Sequence, residues 1–355
     1  MRPFQLAIKL IFLLIALVSC EQKRKYWIYF NNVENSSLVK NELLSYTENS
    51  KSIFIPKDSL NITVDFYSKW LHAGTAWLSK SEHVTLSQFD DVKEISPISK
   101  AKLIPNTLNY IDIQFSFAME QIWAEYFIEK GLTGKGVKIG IIDGGFLDAN
   151  NKISLSHIFK NQAVKPYKDY LTPTMRQYGG SKGADDGHGT QVWTQIAGIN
   201  PNRKVQFGLE TAAEFYLART DDGRKENRTE EEYLIQALEW MHSQGVKLVN
   251  ISLGYSTGFD NPEENYLPKH VDGKFTAVTR AVNIASEQKG MLIIVSAGND
   301  GQNDFKVLSV PADAKGVLTV GATNYKTWDK ASYSSIGPDK FDFLKPNVAC
   351  FAFNG

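Results

Sequence analysis

The sequence predicts an α/β fold: a doubly wound, mostly parallel sheet, preceded by a small N-terminal α+β unit. Near-continuous apolar runs of Val, Ile and Leu recur from about residue 110 onward, as in parallel strands that are buried on both faces. Segments with the apolar spacing of helices separate these runs. Strands that alternate with helices along a chain form doubly wound sheets.

Composition and charge exclude several functional classes. The chain has 355 residues, of which 43% are hydrophobic and 22% are charged, the proportions of a globular protein. Lys and Arg total 39, and so do Asp and Glu, so no net field favours nucleic acid or an anionic membrane surface. The sequence contains no motif for a cofactor or a metal ion, and we assign neither.

The first 20 residues have the pattern of an export signal. Arg2 and Lys9 precede an apolar run over residues 10–18, which is too short for a bilayer that requires about 20 residues. This is the layout of a secretory signal peptide. The run ends in LVSC at 17–20, which resembles the lipobox of bacterial lipoproteins. That resemblance implies that Cys20 carries lipid and anchors the exported protein in a membrane of the cell envelope. An ordinary signal with a chance cysteine is the alternative.

The other cysteine is Cys350. If Cys20 is lipidated, Cys350 has no intramolecular partner, and the exported part contains no disulfide. Cys350 follows two apolar residues, so we interpret it as a buried apolar filler and not as a reactive thiol.

Residues 21–105 form a small separate unit in the sequence. Tyr26–Phe30 is an aromatic-rich run typical of a strand. Leu60–Phe66 alternates apolar and polar residues, with the period of a half-buried strand. The stretch from Leu86 to Ile95 places apolar residues at helical spacing, which predicts a helix that ends before Pro97.

Five apolar runs predict strands in the large domain, residues 106–355. They are Val137–Ile142, Phe215–Ala218, Lys247–Leu253, Met291–Ser296 and Val317–Ala322. Two helices are predicted between them. One begins at Thr229, which with Glu232 has the spacing of a capping box, and ends at Gly245. The other repeats an apolar spacing from Phe275 to Ala285.

Three polar residues stand beside glycines where catalytic groups are expected. Asp143 follows an apolar strand directly, at the carboxyl edge where open α/β sheets place catalytic groups. His188 lies between two glycines before an apolar helix face, so its imidazole is open to substrate and can exchange protons near neutral pH. Asn299 follows an apolar run, and its amide can donate to an oxyanion without changing charge. Each residue alone has an ordinary alternative, as part of a turn or as a structural histidine.

Together the three segments resemble the subtilisin-like serine proteases. The motifs are IIDGG at 141–145, DGHGT at 186–190 and SAGNDG at 296–301, in the family order of acid, base and oxyanion-hole asparagine. VNISLG at 249–254 resembles the substrate-binding edge strand of that family. SYSSIGP at 332–338 and KPNVA at 345–349 extend the match to about residues 110–355.

This resemblance implies a serine endopeptidase. Asp143 would orient His188, His188 would activate a serine, and Asn299 would stabilise the tetrahedral intermediate. An extended stretch of a peptide or protein substrate would pair with backbone groups of two segments. The substrate-binding residues implied in this way are Ser252, Leu253, Gly254, Ser296, Ala297 and Gly298.

The chain departs from the family pattern at several points. Gly144 stands where the family usually has Ser or Thr, and Trp193 stands where it usually has Ala, so a bulky ring must be accommodated behind the histidine. No Gly-Thr-Ser nucleophile motif follows Asn299, and by family spacing the serine is expected soon after Gly355. Residues 21–105 stand where subtilase precursors carry a pro-segment, which acts as a folding aid and inhibitor.

Two other functional classes are suggested by single features of the chain. A non-catalytic peptide-binding lipoprotein would keep the subtilase frame without its nucleophile, although it need not preserve the other catalytic positions. Dinucleotide binding is suggested by Gly134, Gly136 and Gly140. That reading fails because these glycines precede the strand or lie within it, whereas a Rossmann loop follows its strand.

Overall fold

The computed structural model describes residues 23–31, 62–98, 102–103, 119–173, 177–180, 185–223, 229–259 and 261–352. The chain divides into two compact units between Ile98 and Ser99. Within the described ranges, no helix has the length and apolar character needed to cross a membrane. The export signal and Cys20 lie outside the described residues.

The N-terminal unit is a four-stranded antiparallel sheet with one helix. Its strands are β1 (Arg24–Phe30), β2 (Val64–Ser68), β3 (Ala73–Leu78) and β4 (Val92–Pro97), in the order β2-β3-β1-β4. Helix α1 (Lys80–Leu86) begins with a capping box in which Ser79 and Glu82 exchange hydrogen bonds. Strand β1 confirms the predicted aromatic strand. Of the strand predicted over Leu60–Phe66, β2 contains the part from Val64 onward, and residues 60 and 61 lie outside the described ranges.

The helix predicted from Leu86 to Ile95 is wrong. Helix α1 ends at Leu86, and residues 92–97 form β4, which pairs antiparallel with β1. Phe89, Val92 and Ile95 do pack on the core of this unit. A short apolar run satisfies helical and extended spacing alike, and strand pairing with β1 decides between them.

The large unit contains a parallel sheet of seven strands, which confirms the predicted parallel arrangement. The described strands of the large unit, inside and outside this sheet, are β5 (Lys102–Leu103), β6 (Lys138–Asp143), β7 (Val164–Asp169), β8 (Ile199–Asn200), β9 (Val205–Gln206), β10 (Glu214–Arg219), β11 (Leu248–Ile251), β12 (Leu253–Gly254), β13 (Leu292–Ser296), β14 (Leu318–Asn324) and β15 (Val348–Ala352). The sheet order is β15-β14-β13-β11-β6-β10-β7, and every pairing within it is parallel. Strands β5 and β12, and strands β8 and β9, form two short antiparallel pairs.

The sheet reverses its direction of growth at β6. Strands β7 and β10 extend it on one side, and β11, β13, β14 and β15 extend it on the other. In such sheets the crevice at the carboxyl ends of the two central strands is where ligands bind. Asp143 is the last residue of β6 and therefore lies at that crevice.

The helices of the large unit are α2 (Ala124–Glu129), α3 (Ser156–Lys160), α4 (His188–Ala197), α5 (Glu230–Ser243) and α6 (Ala277–Glu287). After α5, Gly245 has a φ of +76°, as expected of a helix stop. The capping box predicted at the start of α5 is wrong. Thr229 has helical backbone angles there, and its side chain makes no capping hydrogen bond, which requires an extended backbone. Helix α6 starts after Phe275, where the Thr276 hydroxyl accepts the backbone N–H of Thr279.

An aromatic core accommodates Trp193 beneath α4. The side chain is fully buried, and its ring lies 6.5 Å from Phe146, 5.6 Å from Phe159 and 5.3 Å from Phe215 between ring centroids. Such aromatic pairs bury large areas and fix ring orientation. The bulky residue in the α4 helix is therefore part of the core that supports His188.

Cys350 is not the buried filler that its apolar neighbours suggested. It lies in β15, the last strand on one side of the sheet, and its side chain is exposed. Among the described residues β15 has one neighbouring strand, β14, so its other side is not covered by a strand.

Candidate active site

An acid and a base meet at the carboxyl edge of the parallel sheet. Asp143 ends β6 and His188 begins α4, and Asp143 Oδ1 lies 2.8 Å from His188 Nδ1. The carboxyl group is fully buried, and the imidazole is 6% exposed. The same Oδ1 accepts the backbone N–H of Gly144 at 2.9 Å. Because Nδ1 faces the carboxylate, Nε2 is the ring nitrogen that points away from it and can serve in proton transfer.

Glycines allow the two loops to approach this closely. A β-carbon on Gly145 would lie 2.5 Å from the carbonyl oxygen of Asp186. One on Gly189 would lie 2.6 Å from the carbonyl oxygen of Gly145. The loop after β6 therefore packs backbone to backbone against the loop before α4, and side chains at either position would separate them.

Asn299 lies on the same edge of the sheet. It follows β13, and only β11 lies between β13 and β6. At about 4.8 Å per strand, the ends of β13 and β6 are about 10 Å apart. The neighbouring Asp300 is buried and accepts hydrogen bonds from Ser309 and Asn303, which fixes the loop that carries Asn299.

The predicted substrate-binding edge contains a short strand that is already paired. Leu253 and Gly254 form β12, with Leu253 opposite Leu103 and Gly254 opposite Lys102 in an antiparallel pair. Just before β12, Ser252 Oγ accepts a hydrogen bond from the Asn250 side chain at 3.0 Å. The β12 backbone thus presents the hydrogen-bonding pattern by which an extended peptide adds to a sheet edge.

The backbone of Ser296–Gly298 makes hydrogen bonds with other segments of the large unit. The N–H of Ala297 donates to the carbonyl of Val320, and its own carbonyl accepts the N–H of Ser309. Gly298 has a φ of +103°, and a β-carbon there would lie 2.3 Å from Ser309 Oγ. These contacts set the turn that leads from β13 to Asn299.

Sequence reasoning missed one residue at this edge, Arg219. It ends β10, and its 1% exposed side chain contacts the carboxylates of Asp169 and Asp186 and the carbonyl of Gly144. The signal that could have found it is a charged residue at the carboxyl end of a predicted apolar strand, the position that also singled out Asp143.

A cavity of about 310 Å³ lies elsewhere in the large unit. Its lining includes Ile139 and Leu248, near the amino ends of β6 and β11, and Ile196, near the end of α4. The buried acid–base pair lies at the opposite ends of these elements. This cavity is therefore not the candidate site.

Comparison with known proteins identifies relatives of this chain. The family model for the subtilase family, peptidase S8, matches residues 134–355. The chain is 29% identical over 231 residues to the minor extracellular protease Epr of Bacillus subtilis. It is 26% identical over 236 residues to subtilisin NAT of Bacillus subtilis subsp. natto. These matches cover 65% and 66% of this chain but only 30% and 52% of the two relatives, so the chain spans about a third to a half of their length.

Solved structures share the fold. The epidermin leader peptide processing serine protease of Staphylococcus aureus has a TM-score of 0.60 and 20% identity, over 92% of this chain and 76% of that chain. Fervidolysin of Fervidobacterium pennivorans, a keratinolytic enzyme related to subtilisin, has a TM-score of 0.61 and 15% identity, over 89% of this chain and 46% of that chain. At these identities the likeness shows the architecture alone.

Proposed function

Because the chain belongs to the subtilase family, we propose that it is a serine-type endopeptidase that hydrolyses peptide bonds. The observation that carries the proposal is the buried hydrogen bond of 2.8 Å between Asp143 and His188. Asp143 holds the imidazole in one tautomer and stabilises the imidazolium that forms when His188 takes the proton of the nucleophile. Asn299 donates its side-chain amide to the oxyanion of the tetrahedral intermediate.

The proposed nucleophile is a serine whose hydroxyl reaches Nε2 of His188. Residues 300–355 contain no Gly-Thr-Ser motif, so we place this serine in a longer form of the chain. Residues 1–355 alone are then expected not to hydrolyse peptides. In subtilisin, loss of the serine lowers kcat by about 2 × 10⁶.

We propose that an extended stretch of a peptide or protein substrate binds along β12. Support comes from the antiparallel pair of β12 with Lys102–Leu103, because it uses the same backbone groups that a substrate strand would use. Residues 102 and 103 follow the N-terminal unit in the chain. The pairing therefore also supports a pro-segment role for residues 21–105, in which the end of the pro-segment occupies the strand and excludes substrates.

We propose further that the protein is exported and held at a membrane by lipid on Cys20. Support comes from the LVSC sequence at 17–20 and from the likeness to an extracellular protease. Mass spectrometry of the mature N terminus and partitioning into detergent test the anchor. A soluble product cleaved at another residue contradicts it.

The decisive experiment compares the 355-residue chain with a chain completed from the downstream coding sequence. The completed chain is expected to cleave casein and to react with a fluorophosphonate probe, and the shorter chain is expected to do neither. His188→Ala should abolish cleavage because the base is lost, whereas His242→Ala, in the last turn of α5, should retain it.

Two results would contradict the proposal that the chain is an endopeptidase whose nucleophilic serine lies outside residues 1–355. One is a downstream stop codon before any Gly-Thr-Ser motif. The other is stoichiometric labelling of the 355-residue chain, which would mean that another nucleophile reacts. In the first case a peptide-binding lipoprotein that keeps the family frame takes the place of the enzyme.

A further inference from the structure

Three neighbouring strands of the parallel sheet end in charged residues of alternating sign. Arg219 of β10 lies opposite Asp143 of β6 on one side and opposite Asp169 of β7 on the other. The exposed fractions of these side chains are 1% for Arg219, 0% for Asp143 and 7% for Asp169. A guanidinium is costly to bury unless charges and hydrogen bonds compensate it. The buried guanidinium of Arg219 therefore requires acceptors and opposite charges around it.

The Arg219 guanidinium donates hydrogen bonds to three separate segments. Nε donates to the carbonyl oxygen of Gly144 at 2.9 Å. Nη2 donates to Asp186 Oδ1 at 2.8 Å. Nη1 donates to Asp169 Oδ2 and to Thr172 Oγ1, both at 3.2 Å. A planar fork with several fixed donors can reach all of these acceptors at once.

Two of the three segments carry the acid and the base. Gly144 directly follows Asp143, and its N–H donates to the Asp143 carboxylate. Asp186 precedes His188 by two residues. Arg219 thus joins the loop that leaves β6 to the loop that enters α4.

The third segment holds the guanidinium in place. The Asp169 carboxylate accepts the backbone N–H groups of Leu171 and Thr172 at 3.0 and 2.9 Å, and also the Thr172 hydroxyl. This turn fixes both acceptors of Nη1. Asp169 and Thr172 hold the guanidinium in place. Its hydrogen bonds to Gly144 and Asp186 therefore hold the loops that carry the acid and the base at fixed positions.

We propose that Arg219 is a positioning residue that sets the distance and alignment between Asp143 and His188. The inference rests on the proposed function, because it concerns the same acid–base pair. Arg219 acts through the two loops and not on the reacting atoms. Lysine would supply the charge from a single nitrogen without spanning the three segments, so the role requires arginine.

The charge of Arg219 also has a predictable effect on His188. Among the described residues, the titratable groups near the guanidinium include Asp169 and Asp186, which it contacts, and Asp143 on the neighbouring strand. Tyr167 also lies near, and burial raises the pKa of its phenol above the ordinary value, so the phenol stays neutral. An uncharged residue at position 219 leaves two carboxylates without their cation, which favours the imidazolium and raises the pKa of His188. Asp169→Asn removes one carboxylate and should lower that pKa.

The test is NMR of the 355-residue chain, purified in detergent and labelled with ¹⁵N at histidine. The sequence has six histidines, and the His188 signals are those lost in His188→Gln. In the unaltered chain the Nδ1 proton is expected at low field because it is donated to a buried carboxylate. The variants are Arg219→Lys, Arg219→Met and Asp169→Asn. Arg203→Lys, in an exposed turn, is the matched control.

Arg219→Lys is expected to broaden or abolish the low-field proton with little change in the pKa of His188. Arg219→Met should abolish it and raise that pKa, and Asp169→Asn should lower the pKa. Arg203→Lys should change neither. Circular dichroism establishes that each variant is folded. If Arg219→Met does not fold, the other two variants decide the outcome.

Two results separate failure of this inference from failure of the proposed function. If folded Arg219→Lys keeps the low-field proton of His188, Arg219 has no positioning role, whatever the pKa of His188 in Asp169→Asn. If the unaltered chain itself shows no low-field proton at His188, the acid–base pair does not form, and the proposed function fails with it.

Discussion

Gly145→Ala should damage the candidate site through a steric conflict alone. Gly145 does not have a positive φ, so alanine fits its backbone angles. Its β-carbon, however, would lie 2.5 Å from the carbonyl oxygen and 2.7 Å from the α-carbon of Asp186. To reach an ordinary contact of about 3.4 Å, the loop before α4 must move by about 0.9 Å. Overpacking of this kind costs about 1–3 kcal/mol of unfolding free energy.

The same movement acts on the acid–base pair. Because Asp186 lies two residues before His188, a shift of about 0.9 Å would stretch the 2.8 Å bond to Asp143 beyond the roughly 3.2 Å limit of a good hydrogen bond. In a completed, active chain a misplacement of about 1 Å costs on the order of 10² in rate.

Gly187→Ala is the matched control. Gly187 directly precedes His188 and has a φ of −96°, and a β-carbon there would meet no atom within 4 Å. Its unfolding free energy, measured by urea denaturation, should stay within about 0.5 kcal/mol of the unaltered chain. Equal stability of the two alanine variants, with the low-field His188 proton intact in both, would refute the steric argument.

Three further predictions concern single polar groups. In a completed chain Asp143→Asn should lower kcat on the order of 10⁴, because the amide favours the wrong imidazole tautomer. Asn299→Ala should cost less, on the order of 10² to 10³ in casein hydrolysis, because it removes one oxyanion donor only. Asp313 is fully buried, and burial raises its pKa from 3.8 to about 6 although Thr279 and Gly273 donate to it. The folded state therefore binds this proton more tightly than the unfolded state does. The stability that the bound proton contributes is lost as the pH rises from about 4 through 6. As the pH rises from 4 to 7.5, the unfolding free energy of Asp313→Asn should increase on the order of 2 to 3 kcal/mol relative to that of the unaltered chain, as measured by urea titrations.

The sheet and the acid–base pair could be predicted because their signals are local. Long Val/Ile/Leu runs predicted five of the seven parallel strands, at nearly the observed bounds. Asp143 and His188 stood out by their glycines, and the same glycines permit the 2.8 Å approach in the structure. Strand β7 was missed because Val164–Asp169 contains two lysines and a proline, as an edge strand tolerates.

Features that depend on distant partners could not be predicted. The stretch from Leu86 to Ile95 has apolar residues at helical spacing, but pairing with β1 makes its second half a strand. Thr229 and Glu232 have the spacing of a capping box, yet the backbone at Thr229 is already helical. In the first case strand pairing overrides a pattern that is only a few residues long. In the second case the spacing of two residues does not determine the backbone angles that a cap requires.

Arg219 shows why a contact of this kind escapes sequence reasoning and still has a physical explanation. Its acceptors lie 33 to 75 residues away in sequence, so no local spacing reveals them. Stability is a weak reason for the arrangement, because replacing buried ion pairs with apolar residues is often neutral or stabilising by about 1–4 kcal/mol. Apolar residues, however, could not hold the Gly144 carbonyl and the Asp186 carboxylate at fixed positions. The burial of a guanidinium at this edge is therefore better explained by the alignment of Asp143 with His188 than by the stability of the sheet.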